Sequence, residues 1–238
     1  MPSITPSTLT LPGDPPLAVA VRRSARARRI SLRVSRLDGR ITLTLPQGAS
    51  HTTGARFVAE RAGWLRAALE GIEGPMPVAE GVALPVEGVP LTLVRARVAR
   101  VVAEGEHLLL PQRGRPGALV AAWLKLKARE RALAAIGRHA AALGRRPGRL
   151  RLADPTGRWG SCSAAGDLML SWRLILAPPE VLDYVAAHEV AHLAQMNHSP
   201  AFWATVAQLM PGYGTRRDWL RRHGSALHRW RFDADGPA

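Results

Sequence analysis

The chain reads as an α+β protein, with a β-rich N-terminal part leading into a helical part built around one H-E-x-x-H helix. Three observations predict this. Apolar and polar side chains alternate over residues 17–46, as in half-buried strands. Helical spacing dominates 117–143 and returns after 178. The sequence HEVAHLAQMNH at 188–198 lies inside the second of these helical stretches.

The first 16 residues are rich in Pro and Thr and lack a basic, apolar leader pattern, so they are expected to be a disordered tail and not a signal peptide. Residues 17–112 are expected to form the β-rich part with one helix. Its strands are LAVAVRR, RRISLRVSR and GRITLTLP, with Asp38–Gly39 as a hairpin turn. Residues 51–70 switch to helical spacing, with Phe57, Ala62, Trp64, Leu65 and Leu69 along one side. Gly, Pro and Glu cluster at 72–80 and offer a second candidate boundary there. Short strands follow at 90–101 and 107–111.

Residues 113–238 are expected to form the catalytic part. A long Ala- and Leu-rich helix over 117–143 stops at Gly144. Strands are expected at 149–153 and 167–172, with the loop DPTGRWGSCSAAG between them. The next helix starts at Pro178–Pro179, where a missing amide donor costs nothing, and runs to about Gln195. Ser199–Pro200 reads as an N-cap followed by proline in the first turn of a helix reaching Met210. A last short helix covers 215–223.

His188 and His192 are four residues apart, about 40° around a helix axis and one turn along it, so both imidazoles face one side. Two such nitrogens can share a metal ion, and Glu189 is placed to accept a proton from water on that ion. With eight histidines and ten glutamates in 238 residues, this pattern arises by chance about 0.01 times per chain, so it is a specific signal. His198 is the third candidate ligand, brought back by a turn at Met196–Asn197 in which Asn197 tolerates a left-handed conformation. The His192–His198 spacing is that of the metzincin pattern, but Gln195 stands where that pattern has Gly, which argues against that turn. Three neutral histidines plus water make an open tetrahedral site suited to zinc or another divalent cation.

In the loop before the next strand, Arg158 can clamp an anionic group and Ser161 can donate to a developing charge, so both are candidate substrate-binding residues. Trp159 and Tyr184 are expected in the core, and Cys162 as a small buried hydrophobe. A single cysteine forbids an internal disulfide and fits a cytoplasmic setting. No apolar run reaches the ~18 residues needed to cross a bilayer.

Basic residues number 33 against 18 acidic, a formal charge of +15, and only two of them are lysine. Such a surface attracts nucleic acid or anionic substrates; a compositional bias toward arginine explains it equally well.

GRWGSCS (157–163), LSWRLILAPPEVLDYVAAHEVAHL (170–193) and NHSPAFW (197–203) together resemble the YgjP-like family of metal-dependent hydrolases, akin to SprT-like and other zincin metallopeptidases. The match is close over 150–224, looser over RRSARARRISLRV and GRITLTLPQGAS, and least over 72–145. The resemblance implies a zincin-like catalytic part with a mixed sheet packed on the active-site helix. It implies that His188, His192 and His198 hold zinc, that Glu189 is the general base, and that GRWGSCS neighbours the active site. The expected function is a zinc-dependent metallopeptidase acting on peptides or proteins. A metal-dependent nucleotide phosphohydrolase, and a nucleic-acid-associated module with a structural metal, are the alternatives.

Overall fold

A computed structural model describes residues 7–35, 38–71 and 74–233. It is a mixed α+β structure that divides into two compact units, Met1–Pro75 and Met76–Ala238.

The first unit holds strands β1 (Ser7–Leu11), β2 (Leu17–Ser24), β3 (Ser31–Val34) and β4 (Ile41–Pro46), then helices α1 (His51–Ala59) and α2 (Ala62–Leu69). The sheet order is β1-β2-β4-β3, with the central β2–β4 pair parallel and the outer pairs antiparallel. Strict alternation in β4 sends Ile41, Leu43 and Leu45 into a core shared with Val19, Val58 and Leu65. Gly54 of α1 lies so close to Leu43 and Leu45 that a side chain there would have only 3.0–3.1 Å of clearance.

Two expectations are corrected here. Residues 7–16 are not a disordered tail, because STLTL alternates and pairs along β2, burying Leu11; residues 1–6 lie outside the described residues. The helix expected over 51–70 is two helices, broken where Arg61 adopts φ −110° and ψ 16°. That break sends Leu65 inward and leaves Trp64 51% exposed, off the stripe assigned to it.

The second unit begins with β5 (Met76–Pro77), β6 (Ala83–Val86), β7 (Val89–Arg95), β8 (Val102–Glu104) and β9 (His107–Leu110). The four strands β6–β9 form one sheet in the order β6-β7-β9-β8. Leu84, Leu93, Leu108 and Leu110 from it share a core with Val120 and Leu124 of the long helix α3 (Pro116–Leu143). The break between units therefore falls at Pro75/Met76, inside the Gly–Pro–Glu cluster, and not at 112/113. Gly144, at φ 66°, ends α3 in the left-handed conformation expected of it.

Next come β10 (Leu150–Ala153), β11 (Gly160–Cys162), β12 (Leu168–Ser171) and a 3-10 turn at Trp172–Leu176. β11 lies within the stretch read from sequence as a loop, and it forms the antiparallel edge of the sheet β10-β12-β11. Helices α4 (Pro179–Ala191), α5 (Pro200–Leu209) and α6 (Tyr213–Leu227) and the short strand β13 (Trp230–Arg231), which pairs with β5, complete the unit.

α4 is buried on nearly every side, with Ala186, Ala187 and Ala191 completely covered, so small side chains let its neighbours approach closely. Three devices fix it. The β6–β7 turn, with Glu87 and Gly88 both at positive φ, donates from Glu87 N to Ile175 O at 2.7 Å and lies against Pro178. Buried Arg173 binds both oxygens of Asp154 at 2.6 and 2.9 Å and donates to Leu227 O and Trp230 O. Asp183 on α4 accepts from Arg138 and bonds the His139 imidazole, both on α3 and both at 2.9 Å. Among the described residues, no helix is long and apolar enough to cross a membrane.

Burial alone would raise the Asp183 carboxyl. The hydrogen bond and charge of His139 and the Arg138 guanidinium outweigh burial and hold it below its ordinary value. Its stabilisation is therefore present above the ordinary carboxyl value and is lost as pH falls through the lowered one. Asp183→Asn is expected to cost about 1–2 kcal/mol at pH 7. The difference from the unmodified protein should shrink below about pH 4, as followed by thermal unfolding across pH.

Candidate metal centre

α4 ends where the candidate ligands His188 and His192 lie. Its last residue is Ala191, with His192 as the cap at φ −64° and ψ −19°. Sequence reading ran this helix on to Gln195; instead a tight turn takes over after Ala191, with Leu193 N donating to Val190 O at 2.9 Å. Among the described residues only Glu87 and glycines have positive φ, so the return to His198 is made without the left-handed Asn197 expected there. Asn197 instead accepts from Ser199 N at 3.2 Å, and Ser199 caps α5 through Phe202 N. His198 thereby stands between Asn197 and the capping residue of α5.

The result is convergence. Ligand nitrogens of His188, His192 and His198 all lie within 4.8 Å of one another. Nε2 of His188 and Nε2 of His198 are 3.1 Å apart. Two metal–imidazole bonds of ~2.0–2.1 Å at a tetrahedral angle span about 3.3 Å, so the pair is spaced for a shared cation. His192 Nδ1 lies 2.9 Å from Gln195 O. A carbonyl only accepts, so Nδ1 carries the proton and Nε2 keeps its lone pair for a metal. Fully buried Phe202 packs against all three rings at 4.4–4.9 Å.

Electrostatics suit ligation. Burial, aided by the neighbouring histidines and Arg217, pushes the His188 imidazole down to about 4. Burial likewise lowers His192, against the raising effect of its Gln195 hydrogen bond. Both rings are neutral at pH 7 and can offer lone pairs.

Glu189 packs against β11. It is 4% exposed, and its Oε2 has no hydrogen-bond partner. Burial raises its carboxyl to about 8. A Cβ on Gly160 would fall on Glu189 Oε1 and within 2.6 Å of its Cγ, so only glycine allows the strand and the carboxyl to lie this close. Sequence reading placed GRWGSCS near the site without finding this contact; its signal was the glycine next to Trp159.

The ladder bonds Ser171 N to Trp159 O and Ser163 N to Asp167 O turn the odd-numbered main-chain groups of β11 toward β12. Those of Gly160 and Cys162 therefore face the open edge. Strand pleating puts Gly160 and Cys162 on the Glu189 side and Ser161 on the opposite face. Arg158 is exposed in the preceding loop. Trp159 packs on His228 at 4.9 Å and against Gly224 of α6. Tyr184 is buried on α4, 6.0 Å from the His188 ring, and stacks on Tyr213.

Comparison with known proteins adds the following. The model of the YgjP-like family, described as a YgjP-like metallopeptidase domain, matches residues 28–223. No curated protein matches the chain. Among solved structures, the metallopeptidase zymogen abylysin of Pyrococcus abyssi is 24% identical, over 39% of this chain and 92% of that chain, with a TM-score of 0.35.

Replacing any one of the three histidines with alanine should cut divalent-metal affinity by at least about 100-fold, seen as loss of bound metal after dialysis. Gly160→Ala should keep the metal but destabilise the fold by about 1–3 kcal/mol, because its Cβ must displace a buried carboxyl. Metal analysis and thermal unfolding separate the two effects.

Proposed function

The chain belongs to the YgjP-like metallopeptidase family, and from that premise we propose that it is a zinc-dependent peptidase with a zincin-like catalytic part and Glu189 as general base. The observation carrying this reading is the meeting of three histidine side chains beside a buried carboxyl whose Oε2 has no partner. In this reading His188, His192 and His198 hold the zinc. When bound, that ion lowers the pKa of a water toward ~7 and polarises the carbonyl to be attacked.

The protein's own groups do the rest. Glu189, whose ionised form a cation held by the histidines would favour against burial, takes a proton as water adds to the peptide carbonyl and delivers it to the departing amine. Its confinement against Gly160 and the core restricts rotation of the carboxyl. The outward N–H and C=O groups of Gly160 and Cys162 can pair with an extended peptide, laying its backbone along β11 beside Glu189. A nucleotide has no main chain to use that edge, which supports peptide over nucleotide. Arg158, ahead of β11, is assigned to an anionic substrate group; Ser161, expected from sequence to bind substrate, turns its main-chain groups toward β12 and its side chain away from Glu189, so no substrate contact is assigned to it. A lone thiol agrees with a reducing, cytoplasmic setting.

The test is Glu189→Gln, which keeps shape and removes the base. Peptide hydrolysis should fall by about 10²–10⁴-fold while bound zinc is retained. Release of phosphate from nucleoside triphosphates that is lost in the same variant would replace this reading with a phosphohydrolase.

A further inference from the structure

One arginine beside the centre is placed unlike the others on its helix. On α6, Arg216 donates to Gly212 O, Arg221 pairs with Asp218 at 3.3 Å, and Arg222 donates to Asp218 O. Arg217 is exposed, and among the described residues no carboxylate lies within ion-pair distance of it. Its guanidinium sits 4.5 Å over the ring of Trp203. That indole is 5.7 Å from both the His188 and His198 rings, and it stacks at 5.5 Å on Tyr213, one turn before Arg217. The guanidinium is thus held one aromatic ring away from the proposed metal ligands, and its field reaches His188 and Tyr184.

This placement is electrostatically costly. A fixed positive charge opposes both protonation of the histidines and arrival of a cation. An exposed arginine has many rotamers that avoid the cost by pointing into solvent; the stack on Trp203 holds it in place instead. No acid of the described chain compensates it, and buried Glu189 is spent on the β11 side. An anionic group arriving on a bound ligand would offset that charge.

We infer that Arg217, seated on Trp203, is a specificity-determining residue that binds a carboxylate of the peptide substrate next to the bond being cut. The inference rests on the peptidase reading above. The carboxylate belongs either to an acidic side chain or to a free C-terminus, and guanidinium geometry suits both.

The test uses blocked decapeptides in which one Glu, Gln or Lys is moved through positions around a fixed cleavage site, with a parallel pair ending in free acid or amide. On zinc-loaded protein, kcat/KM should favour Glu over Gln at one position, or acid over amide, by tenfold or more. That ratio should collapse to within about twofold in Arg217→Gln and invert toward Lys in Arg217→Glu, with Arg217→Lys keeping part of it. Because each result is a ratio within one protein, partial misfolding does not imitate it. A ratio absent from the unmodified protein, or unchanged in Arg217→Gln, overturns the inference. The same peptides are titrated by fluorescence anisotropy onto the Glu189→Gln protein. If nothing is cleaved, carboxylate-dependent binding that is lost with Arg217 preserves the subsite and fells the peptidase reading. Binding indifferent to the carboxylate overturns the subsite as well.

Discussion

Three imidazoles must be held neutral and aimed at one point, and most of the second unit can be read as the means of doing so. Burial supplies the neutrality: it lowers His188 and His192 far enough that lone pairs, not protons, are available at pH 7. Aim comes from three different backbone devices. His188 sits in regular helix, His192 caps that helix and is fixed through Gln195 O, and His198 is fixed by the start of α5. The centre depends on where α4 stops. Helix continued through residue 198, about two more turns, would carry His198 along the α4 axis and out of reach.

That stopping point is protected by the packing of α4 as a whole. A helix buried on nearly every side cannot shift without moving α3, α5 and the β11 edge together. The Asp183 pairings tie it to α3 and the hairpin lies against Pro178 at its start, while the Arg173 fork to Asp154 anchors the 3-10 turn that leads into it. Such over-determination keeps a carboxyl with an unsatisfied oxygen in place, since burying it unpaired opposes folding. The strain is concentrated at Glu189 and Gly160, where chemistry is proposed, and the surrounding core carries the cost.

Much of this was legible in the sequence, and for definite reasons. The H-E-x-x-H helix, the Ser199–Pro200 start of α5 and the Gly144 stop of α3 are local signals, fixed by spacing and capping within a few residues. The rest required information that local patterns lack. STLTL looked like a tail because its partner, β2, was not visible from composition. β11 looked like loop because three residues between glycine and serine carry no strand periodicity; only pairing with β12 makes them a strand. The division between units was placed late because 83–110 alternates like the first sheet, although its buried leucines pack with α3. Arg217 was hidden among many arginines. Its distinction is its seat over Trp203, one ring away from His188 and His198, which no sequence pattern records.

X-ray absorption on the zinc-loaded protein tests the account most directly, because it reads the ligand set without assuming any substrate. The account predicts a first shell of nitrogen and oxygen only, at ~2.0–2.1 Å, with outer-shell scattering from three imidazoles. A sulfur scatterer near 2.3 Å, which only a thiolate such as Cys162 supplies, or outer-shell scattering from fewer than three imidazoles, would contradict it.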